Sequence, residues 1–116
     1  MNPVVFVHLL ASLVVIAAAI PLIRQKVGMN HWYGVRIPTA LTSEKAWFAI
    51  NRFGGRLLLY WGASIAVMAV LGAFLRREYW VIYNWTALCL VMIGLACVMT
   101  LTVRYAAKLQ RDGFRH

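Results

Sequence analysis

Acidic side chains are almost missing from this chain. Glu44, Glu78 and Asp112 are the only three among 116 residues, against 12 Lys and Arg, for a formal net charge of +9. Charge of any sign is scarce, at 13% of residues, where a soluble domain carries about a quarter. Cysteine is limited to Cys89 and Cys97 inside one apolar run, a separation of roughly 12 Å along a helix that excludes a bridge between them. They read as small core residues. No His, Cys and carboxylate grouping has metal-ligand spacing, and no nucleophile–base pair marks a catalytic centre. Neither a metal, another cofactor nor an enzyme activity is therefore expected. No Lys or Arg precedes the first apolar run, so the basic start of a signal peptide is missing. That run continues past Ala17-Ala18-Ala19 to Ile23, as a retained helix would.

What the chain has in excess is apolar surface: 63% of residues, with a mean hydropathy of +0.73. A chain this short has too little interior to hold it, so the surface must face lipid. A hydrocarbon core of ~30 Å needs ~20 apolar residues in helical form. Three runs qualify, at about 4–23, 57–75 and 80–103. Their interiors carry no charge, as expected where a mid-bilayer charge costs ~2.5–3.5 kcal/mol. The expected fold is a single all-α membrane domain over 1–116. It has three transmembrane helices and a loop over 24–56 that holds an amphipathic helix.

The basic residues sit at the ends of these runs, which favours anionic headgroups over nucleic acid. Ten lie in the 24–56 loop or beyond 103, and two, Arg76 and Arg77, lie between the second and third runs. The positive-inside rule then places the N-terminus outside, and the long loop and C-terminus in the cytoplasm. Tyr79, Trp80, Tyr83 and Trp85 would line the outer interface; Trp32, Tyr33, Trp47, Tyr60, Trp61 and Tyr105 would line the inner one.

The loop is too long and too ordered in sequence for a plain connector. Gly34 permits a backbone turn. Pro38 fixes its own φ and biases Ile37 toward an extended shape. Thr42 or Ser43 can cap a new helix with Glu44 in its first turn, and Gly54-Gly55 would end or bend it. On a helical wheel Ala46, Trp47, Ile50, Phe53 and Leu57 make an apolar face, and Lys45, Arg52 and Arg56 a basic stripe. An interfacial helix would put those rings in the acyl boundary and those cations on lipid phosphates. Glu44, Asn51 and Gly55 form a third strip that this placement leaves unused. A folded cap stitched by an Arg36–Glu44 pair, with Asn51 holding a nearby turn, would use it.

Asn30, Tyr33-Gly34, Arg36, Pro38-Thr39, Glu44, Trp47, Asn51 and Gly54 together resemble the signature of the SdpI family, bacterial membrane immunity proteins and shorter relatives. The chain resembles that family's C-terminal module. The resemblance implies a bacterial cytoplasmic membrane protein that protects against a membrane-active peptide toxin. It also implies, for some members, signalling through a cytoplasmic regulatory protein. The ten motif residues would then be structural or partner-binding.

Three other readings compete: a small transporter, an accessory membrane subunit, and an inner-leaflet enzyme built on Tyr33, Arg36 and Glu44. Proton-coupled export usually needs a carboxylate inside the membrane, and all three acids lie outside the expected spans. His8, near the outer end of the first span, reads as structural. His31 and His116 sit beside cations and suggest nothing sharper. Gly62, Ala66, Ala69 and Ala73 form a close-packing stripe for the chain's own helices or for a homo-oligomer.

Overall fold

The computed structural model describes residues 2–30 and 32–112. His31, Arg115 and His116 lie outside the described residues. Three long helices carry the chain: α1 (Pro3–Ile23), α2 (Glu44–Gly72) and α3 (Trp80–Arg111). Each is long and apolar enough to cross a membrane. No strand occurs among the described residues. The molecule measures 57 × 24 × 19 Å.

Helix length explains the architecture. At 1.5 Å per residue the 29 residues of α2 reach about 44 Å and the 32 of α3 about 48 Å, well beyond a hydrocarbon core of ~30 Å. The surplus of both helices lies at the same end, where α2 starts and α3 finishes. There the chain between α1 and α2 folds onto them as a cap.

This arrangement corrects one expectation. No separate amphipathic helix lies between the first and second spans, because residues 44–56 are the first turns of α2 itself. Gly54 and Gly55 do not end it. Glycine in a helix interior costs roughly 0.8–1.0 kcal/mol against alanine, and close packing offsets that cost here. A Cβ on Gly54 would stand 3.0 Å from Val35 Cγ2, and one on Gly55 3.1 Å from the Leu22 and Ile23 side chains of α1.

α2 is the central helix and packs on both others. Against α1 the packing is close at Gly62, which faces Val15, Ile16 and the Ser12 backbone. Gly62 and Ala69 of the small-residue stripe are thus used within the chain; Ala69 is buried with Val5, Tyr83 and Ala87. Against α3, Trp61 lies over Gly94 and donates its Nε1–H to the Val91 carbonyl (3.2 Å). At the far end from the cap, Asn2 caps α1 ahead of Pro3 and donates to Asn84 Oδ1 at 2.8 Å, and His8 Nδ1 lies 3.3 Å from the Tyr83 hydroxyl. His8 therefore has a structural partner in α3. Cys89 and Cys97 are free and exposed on α3, so they are not core residues. The Arg76–Glu78 pair in the α2–α3 turn (3.4 Å) is exposed on both sides, and such pairs contribute ~0–1 kcal/mol.

α1 ends in a Schellman motif: Lys26 N–H bonds the Pro21 carbonyl (2.9 Å) and Gln25 N–H the Leu22 carbonyl (3.3 Å). The left-handed position of that motif normally takes glycine, yet Gln25 occupies it with φ 58°. A left-handed conformation costs a non-glycine residue about 1–2 kcal/mol. Gln25→Gly is therefore expected to stabilise the fold by about 1 kcal/mol, less than the full strain because glycine is freer when unfolded. Thermal unfolding in detergent measures it; a lowered midpoint would contradict the assignment.

Candidate functional site: the folded cap

The cap grows from a sequence of local constraints. Asn30 Oδ1 accepts from the Trp32 and Tyr33 amides (2.8 and 2.7 Å), while its Nδ2 donates to the Gly28 carbonyl. This Asx-type turn sends the chain back toward α1. There the Tyr33 hydroxyl donates to the Ala18 carbonyl. Gly34 follows with φ +112°, a conformation other residues resist. Ile37 is extended and Pro38 opens a short 3-10 turn over Pro38–Thr42, closed by Thr42 Oγ1 donating to the Thr39 carbonyl (2.7 Å). Of the two expected capping residues, Ser43 does the work: its Oγ accepts from the Ala46 amide at 3.0 Å, with Glu44 in the first turn.

Two buried side chains of α2 close the cap. Asn51 Oδ1 accepts from the Val35 amide (2.5 Å), and its Nδ2 donates to the carbonyls of Val35 (3.2 Å) and Trp47 (3.0 Å). The side chain pairs with both the N–H and the C=O of one loop residue, as a strand neighbour would, and is 1% exposed. Trp47 is fully buried and donates Nε1–H to the Val27 carbonyl (2.8 Å). It packs with Ala40, Ile50 and Ala106, flanked by Val27, Val35 and Ile37. The ring is therefore covered by the protein's own loop and by α3, not by the acyl boundary expected for it. Phe53 stacks on Tyr105 at 4.1 Å and 7°. Gly54 is buried between Val35 and Thr102.

The expected Arg36–Glu44 pair is not among the ion pairs of the described residues. Glu44 points to solvent from the first turn of α2, and Arg36 is likewise exposed. The stitching comes from neutral groups instead, which avoids desolvating two charges. Lys45, Arg52 and Arg56 are also exposed, as are Arg24, Lys26, Arg104, Lys108 and Arg111. The rim of the cap is therefore strongly positive. Between the loop and α3 lies an apolar crevice of about 180 Å³, lined by Val35, Ile37, Gly54, Leu58, Met99 and Thr102 among others. It can receive an apolar side chain or a few methylenes of a lipid tail.

Burial pushes the Tyr33 phenol above its ordinary value of 10.0. The phenol must be neutral to donate to Ala18, so its bond stabilises the cap below pH 10 and is lost as pH rises through the folded value, because the unfolded phenol ionises first. Tyr33→Phe is expected to cost about 1 kcal/mol at neutral pH and to flatten the fall in stability above pH 10. Unfolding midpoints measured across that range would show it; parallel curves for both proteins would count against the tether.

Sequence reasoning missed the partners of the cap: Val27, Ala40, Thr102, Ala106 and the Ala18 carbonyl. One signal was available. Thr102 and Ala106 are small residues one turn apart, continuing past the third apolar run where a helix can be approached closely.

The model of the SdpI/YfhL protein family matches residues 26–106, the cap together with α2 and most of α3. The chain belongs to the SdpI/YfhL protein family. In this SdpI/YfhL member α1 lies wholly outside the matched segment, yet it supplies the carbonyl that Tyr33 holds and the surface against Gly55 and Gly62. Together with its three apolar helices, membership identifies a multi-pass membrane protein of immunity type, in a family that is not one of enzymes. No curated protein and no solved structure matches this SdpI/YfhL chain.

Proposed function

We propose that this protein confers immunity on a bacterial cell against a membrane-active peptide toxin, and that the cap is its contact surface for a cytoplasmic regulatory protein. The cap then lies on the cytoplasmic side of the inner membrane and the N-terminus outside, in accord with the bias of basic residues. The observation that carries the reading is the family match over residues 26–106, which takes in the cap. A connector needs no buried Asn and Trp to fix its backbone; a recognition surface does, because preorganisation lowers the cost of binding. The motif residues divide by role. Tyr33, Gly34, Trp47, Asn51 and Gly54 hold the shape, Asn30, Pro38 and Thr39 set its turns, and Arg36 and Glu44 face outward to a partner. Lys45, Arg52 and Arg56 meet lipid phosphates or an acidic face of that partner.

The transporter alternative finds less support. Glu44, Glu78 and Asp112 sit at helix ends or in a turn, where no carboxylate serves a proton path across the bilayer.

The decisive experiment is a deletion strain challenged with membrane-active peptides and complemented with wild type or Arg36→Ala. The deletion is expected to be sensitised, wild type to restore survival, and Arg36→Ala to insert normally while losing most of the protection. Equal survival of the deletion strain and its parent against every such peptide would overturn the immunity reading. Full protection by Arg36→Ala would remove Arg36 from the contact surface.

A further inference from the structure

The five tryptophans have separate fates, and the indole of one of them has no hydrogen-bond or ring partner among the described residues. Trp47 is buried under the loop, Trp61 lies on Gly94, and Trp80 donates to the Leu75 carbonyl beneath the Arg77 guanidinium. Trp85 is exposed on α3 near the far end from the cap, at a depth where an apolar helix face meets lipid. Trp32 is 90% exposed, and it lies in the cap.

Its position is nevertheless fixed. Asn30 Oδ1 accepts the Trp32 amide and the Tyr33 amide together, so the backbone at Trp32 is tied at both peptide links. The next residue supplies a measure of depth. The Tyr33 hydroxyl reaches the Ala18 carbonyl, and Ala18 lies inside the apolar run of α1, about 7.5 Å of helix before its end at Ile23. The loop therefore turns back alongside the membrane-spanning segment rather than leaving it. Met29, also exposed, adds apolar surface to the same segment, and Arg24 and Lys26 are exposed on the turn that leads into it. An indole with a polar N–H and an apolar body, in a segment that opens with two exposed cations, suits the zone between acyl chains and anionic headgroups.

We propose that Trp32 is the membrane anchor of the cap, seated in the headgroup–acyl boundary of an anionic leaflet. The tryptophan of the cap that touches lipid is then Trp32 and not Trp47, which is wholly buried. This inference does not rest on the immunity reading, because it concerns only where the loop sits against lipid.

The test uses the full chain in vesicles of phosphatidylcholine and phosphatidylglycerol, comparing wild type with Trp32→Phe. The emission lost in the variant is the contribution of Trp32. That contribution is expected to be blue-shifted and shielded from acrylamide. Lipids brominated near the headgroup should quench it about twofold more than lipids brominated deep in the chain, as an interfacial ring requires. Trp32→Tyr should give the same difference emission, which guards against a fold disturbed by phenylalanine. A Trp32 contribution that acrylamide quenches like an indole in water, and that brominated lipids leave alone, would overturn the proposal. It would mark the ring as a contact for a soluble protein instead.

Discussion

Gly34→Ala is expected to dismantle the cap while leaving three inserted helices. Two independent effects combine. The backbone at Gly34 has φ +112°, and a non-glycine residue held in a sparsely populated region costs about 1–3 kcal/mol. An alanine Cβ would also stand 2.6 Å from Asn51 Oδ1 and 3.1 Å from the Trp47 ring. Neither neighbour can step aside. Asn51 is committed to the Val35 peptide, and Trp47 is locked by Val27 and wholly enclosed. Relieving the clash breaks the Asn51–Val35 pair, and each polar group left unsatisfied costs a further ~1–3 kcal/mol. The combined loss of at least about 3 kcal/mol exceeds what a local element of this size retains. Insertion should survive, because it depends on the hydropathy of the spans. Limited proteolysis reads the outcome as new cleavage within residues 24–43. Gly28→Ala is the control: its Cβ would meet nothing within 4 Å, so cleavage should match wild type. Equal protease resistance of Gly34→Ala and wild type would show that the turn is not the keystone of the cap.

The contrast between those two glycines shows what a sequence can and cannot convey. Both look like loop glycines. The neighbours that separate them, Asn51 and Trp47, come from a helix that starts ten residues later. The spans themselves were legible, because lipid immersion requires long uncharged apolar runs, and runs at 4–23, 57–75 and 80–103 correspond to α1, α2 and α3. The turn chemistry was legible where one residue decides it, as with Pro38 acting on Ile37, or Ser43 at the start of α2. Asn51 was legible as a residue that could hold a nearby turn because its amide carries both donors and an acceptor.

Helix boundaries at the cap were not legible, for a physical reason. Hydropathy reports immersion in lipid, and α2 and α3 both continue past the lipid. Arg52, Arg56 and Arg104 end the apolar runs without ending the helices, since arginine is a good helix former. Gly54-Gly55 looks like a break because the side chains that fill the space over each glycine, Val35, Leu22 and Ile23, are supplied by other segments. The wheel of residues 44–57 identified an apolar face correctly but could not say what covers it. Lipid and protein both satisfy a tryptophan, and only the fold of residues 24–43 decides between them.

That ambiguity makes Trp47→Ala the sharper of the two large tests. A ring lying in the acyl boundary would lose membrane affinity on truncation and little folding energy. A ring enclosed by Val27, Ala40, Ile50 and Ala106 leaves a cavity between loop, α2 and α3, and truncations of this kind cost about 3–5 kcal/mol. The Val27 carbonyl loses its donor as well. Trp47→Ala is therefore expected to open the cap to protease, lower its unfolding midpoint and abolish the protection proposed above, with the amount of protein in the membrane unchanged. Trp47→Phe keeps most of the ring and loses the Nε1–H, so it should cost about 1 kcal/mol for the lost bond and retain most of the function. The order wild type, Trp47→Phe, Trp47→Ala in both protease resistance and survival is what enclosure by protein requires. A Trp47→Ala protein with an intact cap, depleted from the membrane, would return this ring to the lipid and leave the loop without its core.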